Sequence, residues 1–102
     1  MILKKTEENN LIKALYASSN ICASTYNTEN SELIITFNNG GQYAYSNVSK
    51  TDYTRFEMAE SQGLVFGSHI KKYSFTKLDK INTNKLLSEV AELKNKIKEN
   101  NG

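Results

Sequence analysis

The side chains best placed to meet an anion lie in one stretch: His69, Lys71, Lys72, Tyr73, Lys77 and Lys80, with Asp79 the lone acid among residues 71–80. Lysines neutralise phosphates, and an aromatic ring among them offers a face for a base, so this combination suits nucleic acid. The competing use of such a run is a solvated basic surface that binds nothing specific, which is what most charge runs are. Residues 18–49 offer no help, since they contain no Lys or Arg and carry Glu29 and Glu32.

A second candidate is aromatic. Tyr43 and Tyr45 stand two apart and would share one face of a strand, and Tyr26 and Tyr53 are candidates to join them. Such a group is either a base-stacking platform or part of a core. The hairpin register separates the two uses. A two-residue turn at Asn39-Gly40 would set the tyrosines beside Ile34 and Thr36. A three-residue turn, Asn38-Asn39-Gly40 with Gly40 left-handed, pairs Ile35 with Tyr43 and Leu33 with Tyr45. The second register makes one face apolar and the other mostly small or polar, as a half-buried antiparallel sheet requires. Core is therefore the favoured use of the tyrosines.

Catalytic chemistry finds little to work with. Cys22 and His69 could form a thiolate–imidazole pair, but a lone cysteine in a strand is usually a small core residue. One Cys and one His make no metal-ligand cluster. Asn39-Gly40-Gly41 is too short for a phosphate loop and has no Lys. No enzyme activity, metal or cofactor is expected.

The elements that must position these residues read as follows. With 102 residues, 38% apolar, no Pro, no Trp and a net charge of +2, the chain suits one small domain with polar ends. A single cysteine excludes an internal disulfide, and no run approaches the roughly 20 apolar residues of a membrane helix. The expectation is a soluble cytoplasmic protein without membrane contact. Residues 1–17 read as an extension with a short helix, capped by Thr6 and carrying Leu11, Ile12 and Leu15. Residues 21–26, 32–37 and 42–46 read as a three-stranded antiparallel meander. Ser49 caps a helix bearing Tyr53, Phe56 and Ala59, which Gly63 would end, and a second helical stretch spans about 65–70. Residues 77–102 read as a linker and an amphipathic helix. In it Leu86, Val90, Leu93 and Ile97 step by four, three and four, the seam of a partner helix or of a helix docked on its own domain. The fold class is thus α+β, a meander packed on one or two helices with a helix at either end.

From Ser18-Ser19-Asn20-Ile21 to Tyr73-Ser74-Phe75 the chain resembles the KTSC domain. The matching residues include Ser18, Ser19, Ile21, Tyr26, Leu33, Ile35, Phe37, Gly40, Tyr43, Tyr45, Val48, Tyr53, Phe56, Gly63, Phe66, Ile70 and Tyr73. It departs from the family pattern at Ser49 (usually Pro), Gly67 (commonly Asn) and Lys71 (commonly Arg). The resemblance implies a domain over residues 18–76 of the kind found at the C-terminus of some lysyl-tRNA synthetases and alone in small bacterial and phage proteins. It implies no catalysis; RNA binding is associated with the family through the synthetase. Two functions follow as expectations. One is an RNA- or nucleic-acid-binding module working through residues 69–80. The other is a protein-interaction or host-directed inhibitor module, viral in origin and acting in the bacterial cytoplasm, which self-associates through residues 84–99.

Overall fold

The two asparagines Asn9 and Asn10 take φ of 51° and 67°, the left-handed pair that closes a two-residue hairpin. That turn makes strands of the N-terminal segment: β1 (Ile2–Glu8) pairs with β2 (Leu11–Tyr16) through Glu8↔Leu11 and Thr6↔Lys13. The expected helix over residues 1–17 is therefore corrected to a hairpin. Leu11, Ile12 and Leu15 satisfy a helical spacing, but the residues actually buried are Ile12, Ala14 and Tyr16, a period of two.

The computed structural model describes residues 1–101. After β2 come β3 (Ile21–Asn27), β4 (Glu32–Phe37), β5 (Gln42–Tyr45), α1 (Lys50–Met58), α2 (Gln62–Val65), a π-helical turn (Phe66–Ile70), β6 (Phe75–Leu78) and α3 (Asn84–Asn101). The class is α+β, but the sheet has six antiparallel strands in chain order, β1 to β6, where three were expected. The expected meander is its centre, β3–β5. The hairpin adds two strands, and β6 adds a third at the far edge.

The β4–β5 register is Leu33↔Tyr45 and Ile35↔Tyr43, with Gly40 at φ 94°. This is the three-residue turn. A Cβ on Gly40 would come within 2.2 Å of the Ile81 carbonyl oxygen, because the segment before α3 is fastened to this turn. Ile81 N–H donates to Gly40 O, and Thr83 Oγ1 donates to Asn38 O.

The front of the sheet holds the core: Ile12, Tyr16, Tyr26, Leu33, Ile35 and Tyr45 against Val48, Tyr53, Phe56 and Ile70. Tyr26 stacks on Tyr53 with centroids 4.2 Å apart, and Tyr16 meets Phe56 edge-on at 5.3 Å. α1 starts where Ser49 Oγ accepts the Asp52 N–H, as the sequence led one to expect. It ends at Met58, earlier than Gly63. The fully buried Gln62 side chain donates to the Ala59 carbonyl and to that of Phe56, which also accepts the Ala59 N–H. α3 lies across the back, where Val90 is buried and Glu89 meets Lys4 at 2.9 Å.

Candidate nucleic-acid interface

Strand alternation decides where each tyrosine goes. Tyr26 and Tyr53 are core residues, 2% and 1% exposed, and Tyr45 joins them at 4%. Tyr26 O–H donates to Val48 O at 2.7 Å. The Tyr53 hydroxyl is buried with no hydrogen-bonded partner among the described residues. Burial above all, with Tyr16 and Glu57 adding to it, raises its pKa far above the ordinary phenol range. Burial likewise raises the Tyr45 phenol.

Tyr43 differs. It lies within β5, pairs with Lys77 of the edge strand β6 and is only half-buried. Around it five aromatic rings form a closed circuit. Phe37 meets Tyr43 at 5.8 Å, Tyr43 meets Phe75 at 5.6 Å and Phe75 meets Tyr45 at 5.7 Å. Tyr45 then meets Phe66 at 5.7 Å, and Phe66 meets Phe37 at 5.5 Å. Most of these contacts are edge-to-face, the arrangement the ring quadrupole prefers. The circuit is sunk in the core at Tyr45 and opens to solvent at Phe75, which is 57% exposed.

Beside it lies a cleft of about 370 Å³ lined by Phe37, Asn39, Gly41, Tyr43, Lys77 and Lys80. Neither lysine makes an ion pair among the described residues. Phe37, Phe66 and Phe75 were not singled out as site residues from the sequence. The expected domain ends at residue 76, and Phe75-Thr76-Lys77-Leu78 has no apolar–polar alternation to mark it as a strand.

The basic stretch is divided by the fold. Lys77 and Lys80 line the cleft, whereas His69 to Tyr73 lie by α1. There the Tyr73 hydroxyl donates to Asp52 Oδ2 at 2.5 Å, and Lys72 Nζ lies 3.1 Å from the same oxygen and 5.3 Å from the centroid of the Tyr73 ring. The Tyr73 hydroxyl, then the Lys72 ammonium, holds the Asp52 carboxyl below its ordinary range. Arg55 Nη1 approaches His69 Nε2 at 3.4 Å, and His69 Nδ1 lies 2.7 Å from Ser68 Oγ, which donates to Leu64 O. An arginine can only donate, so His69 accepts at Nε2 and carries its proton at Nδ1. Lys71 is exposed and makes no ion pair among the described residues.

Cys22 is buried, its Sγ 3.6 Å from Thr36 O and 3.8 Å from Phe37 O, and burial raises its pKa. It makes no contact with His69. Among the described residues no group of three or more His, Cys, Asp or Glu could hold a metal ion, and no helix is long and apolar enough to cross a membrane. Of the α3 seam, Val90 is buried on the sheet, Leu86 and Leu93 are half-buried, and Ile97 is exposed.

A family model for the KTSC domain matches residues 17–75. The chain belongs to the KTSC domain family. Among solved structures it is similar to a KTSC domain protein from Yersinia pestis. The two share 30% identity with a TM-score of 0.64, over 68% of this chain and 99% of that one. No curated protein matches the chain. The KTSC unit thus comprises β3 to the start of β6, while the β1–β2 hairpin and α3 lie outside it. The aromatic circuit lies wholly within residues 17–75, and Lys77 and Lys80 lie just beyond.

Proposed function

We propose that this KTSC protein is a non-catalytic module that binds single-stranded nucleic acid at the cleft beside Tyr43. The observation that carries the proposal is the exposed end of the aromatic circuit, at Phe75 and Tyr43, next to two lysines with no ion-pair partner among the described residues. A base stacks on the exposed ring, and Lys77 and Lys80 neutralise the flanking phosphates; every base has a π-face, so sequence preference is weak.

The test is fluorescence anisotropy with a labelled single-stranded RNA or DNA at several salt concentrations. Two neutralised phosphates give a log–log salt slope of about −1.4, at about 0.7 per phosphate for single strands, and Lys77→Ala brings it to about −0.7. Phe75→Ala weakens binding by about 1–3 kcal/mol. No binding at 50 mM salt, or binding indifferent to both substitutions, ends the proposal.

A second reading, a protein-interaction or host-directed inhibitor module that self-associates through α3, draws on the exposure of Ile97 beyond the docked part of the seam. Leu86 and Val90 are engaged with the sheet, which leaves Leu93 and Ile97 for a partner, fewer apolar positions than a coiled coil needs. Sedimentation of the full chain against one ending at Leu93 decides it: a monomeric full chain, or an oligomer that persists in the shorter chain, removes self-association through the end of α3.

A further inference from the structure

We infer that the cleft between α3 and the back of the sheet is a binding site for a small anion carried on an apolar body, such as an aryl carboxylate. It has a volume of about 350 Å³, within the range of small-molecule sites. Its origin is a mismatch in side-chain size. Where the helix crosses β3, the sheet offers Ala23 and Thr25; branched aliphatic residues there would fill the space beneath a docked helix. The apolar walls are Leu15 on β2, Leu86 on α3 and Ile81 on the segment before it.

The charge of the cleft selects the ligand's head group. Lys13 points to this face, is exposed, and has no ion-pair partner among the described residues. The other charges at the site, Lys4 and Glu89, neutralise each other at 2.9 Å. The balance is one positive charge. The Thr25 hydroxyl, with no side-chain hydrogen bond among the described residues, supplies a donor beside it. Thr36 and Gln42 at the other end are already bonded, Thr36 Oγ1 to Gln42 Oε1 at 3.0 Å and Gln42 Nε2 to Asp79 O at 3.3 Å. An apolar body would lie against Leu15, Ala23 and Leu86, with its anionic group at Lys13 and the hydroxyls of Thr25 and Thr6.

This cleft is separate from the one beside Tyr43, which opens on the other face. Lys13, Leu15, Ile81 and Leu86 lie outside the family-matched residues, and Ala23 and Thr25 lie inside them. The site therefore exists only where this chain's additions meet its KTSC unit.

The experiment is NMR titration of the ¹⁵N-labelled full chain with 2-naphthoate and, separately, with the neutral 2-naphthalenemethanol. The expected result is amide shifts concentrated at Ala23, Thr25 and Leu86, with naphthoate binding about tenfold or more tighter than the alcohol, the size of one charge-assisted contact. Lys13→Ala removes that preference, and Ala23→Leu, which fills the floor, removes the shifts from both compounds. Equal affinity for acid and alcohol overturns the inference. So do shifts scattered elsewhere, no shifts at millimolar naphthoate, or naphthoate binding unchanged in Lys13→Ala. Should Ala23→Leu unfold the chain, Lys13→Ala at its exposed position still decides.

Discussion

The two faces of one sheet are built to opposite specifications. The front is filled by large side chains, with Tyr16, Tyr26, Tyr53 and Phe56 each 2% exposed or less. The back presents Ala23, Thr25 and Thr36 to a helix that leaves a cleft of about 350 Å³. The front belongs to the KTSC unit apart from the strands of the hairpin, and the back is covered by a segment outside it. The core is built by the KTSC unit together with Ile12, Ala14 and Tyr16 of the hairpin, while α3 builds surface that the family match does not contain.

The sharpest way to break that contrast is a paired truncation. Phe56→Ala should cost about 3–5 kcal/mol, whereas Val90→Ala on the back should cost about 1–2, the worth of two buried methyl-sized groups. Equal losses in urea denaturation would mean that α3 is as integral as α1. Gly40→Ala comes next. The residue sits at φ 94° with no room before the Ile81 carbonyl, so the substitution should cost about 1–3 kcal/mol. Amide exchange should rise in α3 more than in α1, because this turn is where the front hairpin holds the back helix.

Smaller effects sharpen the front alone. Tyr26→Phe leaves the buried Val48 carbonyl without its donor and should cost about 1–3 kcal/mol, whereas Tyr53→Phe removes a hydroxyl with no hydrogen-bonded partner among the described residues and should be nearly neutral. A large loss for Tyr53→Phe would mean that the neighbouring Glu57 carboxylate closes on that hydroxyl and accepts its proton in a hydrogen bond. The smallest effect is a pH dependence. Asp52 has its pKa lowered in the folded state, so its contribution is complete above its ordinary value of 3.8 and is lost as pH falls below that, through the folded value. Tyr73→Phe should flatten this acid limb below pH 3.8.

Periodicity and turn chemistry revealed the centre of the fold. β-branched residues marked β4, the glycine turn fixed its register with β5, and Ser49 marked the start of α1. The N-terminal hairpin was missed because Ala14 is too small to announce a period of two, while Leu11, Ile12 and Leu15 imitate a helix. The Asn9-Asn10 turn was the signal that could have found it. β6 was missed as a four-residue edge strand with three exposed positions. That omission hid the interface as well. The aromatic circuit draws on β4, β5, β6 and the π-helical turn, and no local spacing links Phe37 to Phe66 or Tyr43 to Phe75. Lys77 was flagged from the charge run, but its place beside Tyr43 is a cross-strand fact.

The strict chain order of the sheet has a kinetic consequence. β1 to β5 are successive hairpins whose closing loops are short, so each can zip with little loss of chain entropy. β6 joins only after residues 46–74 have been spanned. Its pairing is the costly long-range step, expected late in folding, with φ-values near zero at Phe75 and Thr76 and higher in β3–β4. The ring circuit, and with it the proposed nucleic-acid surface, would then be the last part of the molecule to assemble and the first to open.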